Sequence, residues 1–295
     1  MPSLRDLRRR IKSVQNTQKI TKAYQVVSAT KLRRAQAAVQ RTRPYAEKML
    51  EVLATTAARA TEYRHPFMER REGKRAVVVI VTADKGLVGG LNANTIRAAN
   101  RYVNENRLED VKWVTVGRRG NSFLSRFRRK VIADASGLAA QPHISEILPA
   151  VTVALEEYRR GETDMVLLAY AKWVSTMRQE ATIRTLVPIE LPKGEEGDRA
   201  GSAASGADYI YEPGPEEVLD QLLPRYVETQ IYQAVLENQA SEHSARMIAM
   251  QNATNAAGDF IKALSLTANK VRQSAITTEL MEIVSGAESL RSSSK

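Results

Sequence analysis

Leu4, Leu7, Ile11 and Val14 recur at alternating steps of three and four, the spacing of a coiled-coil seam. Continued, the same register reaches Gln18, Thr21, Gln25 and Ser28, all polar, and returns to apolar character at Leu32, Ala35 and Val39. Over the polar stretch, Ile20, Tyr24 and Val27 form an apolar row on an adjacent face. No glycine interrupts residues 1–63, and Pro44 is the one place for a kink. The pattern predicts one long N-terminal helix, and the change of face predicts different neighbours along its length.

The period then changes. Ala76–Thr82 is a continuous apolar run before a Gly-rich turn, which reads as a buried strand. Asn92–Leu108 suits a helix, Lys112–Val116 and Lys130–Ala133 suit strands, and Ile144–Arg160 suits a helix despite Pro149. Met165–Tyr170 and Ala181–Ile189 read as further strands. Such alternation predicts a Rossmann-like α/β domain over 76–192 with a largely parallel sheet. Residues 193–215, rich in Gly and acids, read as a loop.

From residue 216 to about 286 the chain reads as a second helix, interrupted only by Pro224 and Gly258. Its seam is Leu236, Ala240, His243, Met247, Met250, Thr254, Ala257, Ile261, Leu264, Ala268, Val271 and Ala275. At 1.5 Å per residue it would extend roughly 100 Å, more than a domain of this mass can bury. The economical fold mixes α+β and α/β character. The N- and C-terminal segments form a long antiparallel two-helix coiled coil, with the α/β domain between them in sequence. The seam is rich in Ala and Thr, so it permits close approach but buries little, and the rod is expected to gain stability from a surrounding partner.

Composition adds three constraints. The chain has no cysteine, which excludes disulfides and thiolate metal sites. No stretch approaches the roughly 20 apolar residues of a membrane span. The basic start lacks the apolar run of a signal peptide, so a soluble chain is expected, reaching a membrane only through partners. Residues 1–75 carry 19 Lys and Arg against 6 acids, whereas the remainder carry 25 against 27. The excess charge at the front points to an anionic partner: nucleic acid, a membrane surface or an acidic protein wall.

Candidate chemistry is sparse. The turn TADKGLVGGLN (Thr82–Asn92) follows a strand but has neither GxxxxGK with Ser or Thr nor GxGxxG, so no nucleotide cofactor is expected. His65, His143 and His243 are scattered without metal-ligand spacing, and nothing places a base beside a nucleophile. The cations of the first helix, among them Arg8, Arg9, Arg10, Lys12, Lys31, Arg33 and Arg34, fall around it instead of on one stripe, and no aromatics interleave for base stacking. Three classes remain open on these grounds: a shaft inside an acidic protein wall, a nucleic-acid-binding coiled coil, and a Rossmann-like enzyme with helical arms.

Several blocks resemble the gamma subunit family of F-type ATP synthases. They are IKSVQNTQKITKAYQVVSATKLRRAQ (Ile11–Gln36), TADKGLVGGLN, DYIYEP (Asp208–Pro213), SEHSARMIAMQNAT (Ser241–Thr254) and NKVRQSAITTELMEIVSG (Asn269–Gly286). They lie in family order and cover both ends and the middle of the chain.

The resemblance implies a central rotor shaft that passes rotation of the membrane c ring to a hexamer of alpha and beta subunits. It implies no catalytic residue, cofactor or metal on this chain, epsilon as a further partner, and no nucleic acid. It implies a peripheral place on the cytoplasmic face of a bacterial plasma membrane. Carried over position by position, it implies beta-subunit contacts for Lys85, Arg272, Gln273 and Tyr24, and c-ring contacts for Tyr209 and Tyr211. Lys85 stands where the family often has Arg, and Tyr24 where Met is common. A lysine keeps the charge of the family's arginine but loses its bidentate fork.

Overall fold

The computed structural model describes residues 3–60, 63, 65–190, 212 and 214–293, with side chains through 287. In sequence, two long helices, α1 (Leu4–Arg59) and α5 (Pro215–Ser293), flank a five-stranded α/β region. Two compact units result, one of Met1–Ser28 with Met247–Lys295 and one of Ala29–Arg246.

In the first unit α1 and α5 pair antiparallel. Ser3 opens α1, its hydroxyl accepting from the Asp6 amide at 3.2 Å and donating to the Asp6 carboxylate at 2.8 Å. Leu7, Met250, Ala257 and Ala268 are buried on the predicted seams, with Leu4, Ile11, Val14, Ile261 and Leu264 half-buried. The polar stretch keeps the same register and is bridged by hydrogen bonds. The Thr21 and Thr254 hydroxyls lie 2.8 Å apart, the Gln18 amide donates to the Thr254 carbonyl at 3.4 Å, and Gln25 donates to Gln251. Each polar seam residue thus finds a partner, as desolvated polar groups must. Ile20, Tyr24, Val26 and Val27 on the outer side are all half exposed or more.

In the second unit the sheet order is β3-β2-β1-β4-β5, with β1 (Arg75–Val81), β2 (Glu109–Val116), β3 (Val131–Ala135) and β4 (Met165–Trp173) parallel. The edge strand β5 (Gln179–Val187) is antiparallel, returning from β4 through a hairpin. Alternate side chains face opposite layers. Val77, Val79, Val81, Val114, Val166 and Leu168 join Met49 and Leu53 of α1, Ile147 and Val151 of α4 (Ile144–Arg159), and Leu223 and Ile231 of α5. Val78, Ile80, Trp113 and Leu167 face α2 (Leu91–Glu105) and α3 (Arg118–Arg126) through Ile96 and Leu124.

Several details differ from the sequence reading. Helix α1 stops at Arg59 instead of Tyr63, while α5 runs without a break through Pro224 and Gly258. The strands of β2 and β4 are longer than their apolar runs. Helix α3 was not anticipated. Its stretch is short and mostly polar, and Gly120 in it lets the helix approach Thr82, whose hydroxyl would lie 2.9 Å from an added Cβ.

At the amino ends of the strands, Asp164 is buried and takes three hydrogen bonds from Arg75: the amide at 3.0 Å, Nε at 3.1 Å and Nη2 at 2.7 Å. Arg75 holds the Asp164 carboxyl below its ordinary range, against the opposing pull of burial. A folded pKa depressed below the unfolded value adds stability that is present above the unfolded pKa and lost as pH falls. Asp164→Asn is therefore expected to cost roughly 1.5–3 kcal/mol at pH 7. The gap to the parent chain should narrow as pH falls below the ordinary aspartate range. Urea titrations of both chains at neutral and acid pH check this, and a gap that does not narrow with acid would contradict it.

Candidate interaction surfaces and the closed crevice of the sheet

Open α/β sheets bind ligands beyond the carboxyl ends of their strands, where the strand order reverses. Here that point lies between β1 and β4, and the chain fills it with its own groups. After β1, the Ala83 amide donates to Asn92 Oδ1 at 3.0 Å, fixing the Gly-rich turn onto α2. Asp84 Oδ1 accepts from the Arg118 amide at 2.8 Å and the Gly137 amide at 3.1 Å. A side-chain carboxylate thus caps the start of α3, a helix end that could otherwise take up an anion, whereas the start of α2, the helix after β1, carries no side-chain cap. Gly117, with φ 102°, packs on the Thr82 carbonyl so closely that an added Cβ would lie 2.0 Å from its oxygen.

Helix α5 covers the other side. Asn238 Oδ1 accepts from the Ala171 amide at 3.2 Å, and the Ser241 hydroxyl donates to the Ala171 carbonyl at 2.8 Å. Ser244 donates to the Thr176 carbonyl, and Arg246 reaches the Gly86 carbonyl at 3.3 Å while pairing with Glu242. Burial raises the Glu242 pKa, with Arg246 opposing it. Burial, then Arg246 and Lys31, pushes the His243 pKa down to about 4, so the ring is neutral at pH 7. What remains is a cavity of about 140 Å³ among Lys31, Asp84, Lys85, Glu242, His243 and Arg246. This is below the roughly 300–1,000 Å³ of sites for drug-sized ligands, although a wider cleft of about 770 Å³ adjoins it at Lys31, Gln239 and His243.

The residues singled out from the sequence fall in separate places. Lys85 is exposed on the turn after β1 and lines that cavity beside Arg246. Tyr24 is 50% exposed, on the outer side of the polar seam of the helix pair. Arg272 and Gln273 are exposed, and they begin a stretch of α5 in which every residue from Arg272 to Ala287 is exposed. That stretch carries Ile276, Leu280, Met281, Ile283 and Val284 on its surface. Tyr209 and Tyr211 lie outside the described residues. Sequence reasoning passed over Asn238, Ser241 and Ser244; their one signal was small polar residues three apart on a helix whose neighbouring rows are apolar.

The ATP synthase family profile matches residues 3–290. The ATP synthase gamma chain of Acidovorax sp. (strain JS42) is 46% identical over 289 residues, 97% of this chain and 99% of the relative. That of Cupriavidus necator is 46% identical over 292 residues, again 97% and 99%. The chain belongs to the ATP synthase gamma chain family. The fold agrees with a chain of the Euglena gracilis mitochondrial ATP synthase (OSCP/F1/c-ring, rotational state 3) at TM-score 0.66 and 18% identity, covering 99% of this chain and 96% of that one. A chain from the central stalk and c ring of the Tetrahymena thermophila mitochondrial enzyme gives TM-score 0.58 at 22% identity, covering 79% and 99%.

For this gamma chain, the Ala171–Asn238 bond supplies a direct test of how the crevice is held shut. Asn238→Ala leaves the buried Ala171 amide without its acceptor, at an expected cost of about 1–3 kcal/mol. Urea unfolding of the full chain, with the Asn238→Asp variant as an acceptor-keeping comparison, measures it. Equal midpoints for parent and Asn238→Ala would remove this bond from the set that holds α5 in place.

Proposed function

We propose that this gamma chain is the central rotor shaft of its ATP synthase, passing rotation of the c ring to the alpha/beta hexamer and holding no catalytic site. The observation that carries the reading is the inverted distribution of apolar surface in the unit of Met1–Ser28 with Met247–Lys295. Its middle turns Thr and Gln inward and Ile20, Tyr24, Val26 and Val27 outward. Its last turns expose five large apolar side chains. Burying such a side chain is worth about 1.5–3 kcal/mol, so a surrounding protein wall would be favoured strongly. The excess of cations in residues 1–75 suits an acidic lining of that wall.

In this reading Lys85, Tyr24, Arg272 and Gln273 meet the beta subunits, Tyr209 and Tyr211 meet the c ring, and epsilon binds the α/β region. The chain sits on the cytoplasmic face of a bacterial plasma membrane through those partners, without nucleic acid. In this reading the small cavity at the switch point and the Asp84 cap leave that point without a nucleotide. A shaft of uneven surface works by differential contact: each beta subunit meets a different face in turn, and only a difference in contact energy can shift its conformation.

Two outcomes follow. Purified chain in a calorimeter should take up no magnesium–ATP, and micromolar, magnesium-dependent binding would sink the reading of a closed crevice. Arg272→Ala combined with Gln273→Ala should leave assembly with alpha and beta subunits intact while changing the ATP hydrolysis rate severalfold. Both side chains are exposed, so a folding defect is not expected. Unchanged hydrolysis and unchanged single-molecule rotation would make them ordinary helix surface.

A further inference from the structure

Thirteen residues, Arg118 to Lys130 (RRGNSFLSRFRRK), carry six Lys or Arg and no acid. They form α3 and the turn into β3. Arg118, Arg119, Arg126, Arg128 and Arg129 are exposed, and none makes an ion pair among the described residues. Lys130 meets only Asp110, at 3.9 Å. Helix α2 extends the field, Arg97 and Arg101 lining a cleft of about 740 Å³ opposite Arg119 and Phe123. Against these cations stand only Asp110, beside Lys130, and Glu105 in the cleft, and a cluster with so large an excess of one charge repels itself and attracts a polyanion.

The end of α3 adds a second feature. Arg128 takes the left-handed conformation with φ 53°, and its amide and that of Arg129 return to the Ser125 and Leu124 carbonyls at 3.0 Å each. The turn is closed by its own backbone bonds, and Phe127 within it is 60% exposed. One exposed phenylalanine is ordinary. An exposed ring flanked in sequence by the exposed Arg126, Arg128, Arg129 and Lys130 on a closed turn has the make-up of an interfacial anchor: an apolar group for the acyl boundary, cations for phosphates.

We propose that this turn docks on an anionic phospholipid surface, with Phe127 at headgroup depth and the four flanking cations against lipid phosphates. Nucleic acid fits less well, because bases stack on free aromatic faces and Phe127 already packs at a tilt of 41° on Phe123, 4.6 Å between centroids. An acidic protein would pair its carboxylates with the guanidinium groups along the α2–α3 cleft, and the four cations of the turn lie outside that lining. The proposal adds a direct lipid contact to the attachment through partners in the shaft reading, and does not depend on that reading.

The test is flotation of the full chain with phosphatidylcholine vesicles, with and without phosphatidylglycerol. The basic first helix is a competing anchor, so two triple variants are compared: Arg126→Ala/Arg128→Ala/Arg129→Ala, and Arg8→Ala/Arg9→Ala/Arg10→Ala. Binding should require phosphatidylglycerol, and the first triple should weaken it by about tenfold or more, the second by much less. F127W should gain a blue-shifted emission component over the parent chain on vesicles, quenched by brominated acyl chains. Vesicle binding that survives the first triple, or is abolished only by the second, overturns the proposal. Equal or tighter binding of a single-stranded oligonucleotide or poly-glutamate, lost in the same first triple, would also overturn it.

Discussion

The seating of α5 on Ala171 sets the rest of the second unit. One backbone amide and one backbone carbonyl at the end of β4 find their partners in Asn238 and Ser241, all four groups being buried. With those groups satisfied, the helix can lie across the carboxyl end of the sheet without stranding polar atoms. Two things follow from the same contact. The switch-point crevice is reduced to a small cavity, and a 79-residue helix is fixed near one third of its length. The apolar layer of Leu219, Leu223, Val227 and Ile231 supplies the burial energy, but the polar pairs set its register on the sheet.

In the other unit the balance is reversed. Between its apolar turns, the middle of its interface holds small and polar side chains, joined by Thr–Thr and Gln–Gln bonds that each give only about 0.5–1.5 kcal/mol net. Larger apolar groups face outward. A free helix pair gains little from such an arrangement, whereas one enclosed by other subunits gains on its outer side. The proposed place inside a hexamer resolves a feature that isolated folding leaves unfavourable.

Much of this was legible in the residues. The register from Leu4 to Val39 was right because its period ran straight through the polar gap, and coiled-coil phase is additive along a helix. The central strands were legible as apolar runs, since a strand covered on both faces has no polar side to alternate. Helix α3 was not, because nine residues with few apolar side chains carry no clear period. Its charge was hidden too: totals over residues 76–295 cancel, while a thirteen-residue window does not. The turn bearing Lys85 was readable from its glycines. The residues that close the crevice were not, for Asn238 meets Ala171 only through a contact 67 positions apart.

The carboxylate of Asp84 at the start of α3 has a thermodynamic meaning of its own. Where a fold depends on a bound phosphate compound to satisfy such a helix end, its stability rises and falls with the concentration of that compound. A cap carried on the same chain has a fixed effective concentration. The firmness of this part of the molecule is thereby uncoupled from the supply of diffusible anions, in a starved cell as in a fed one.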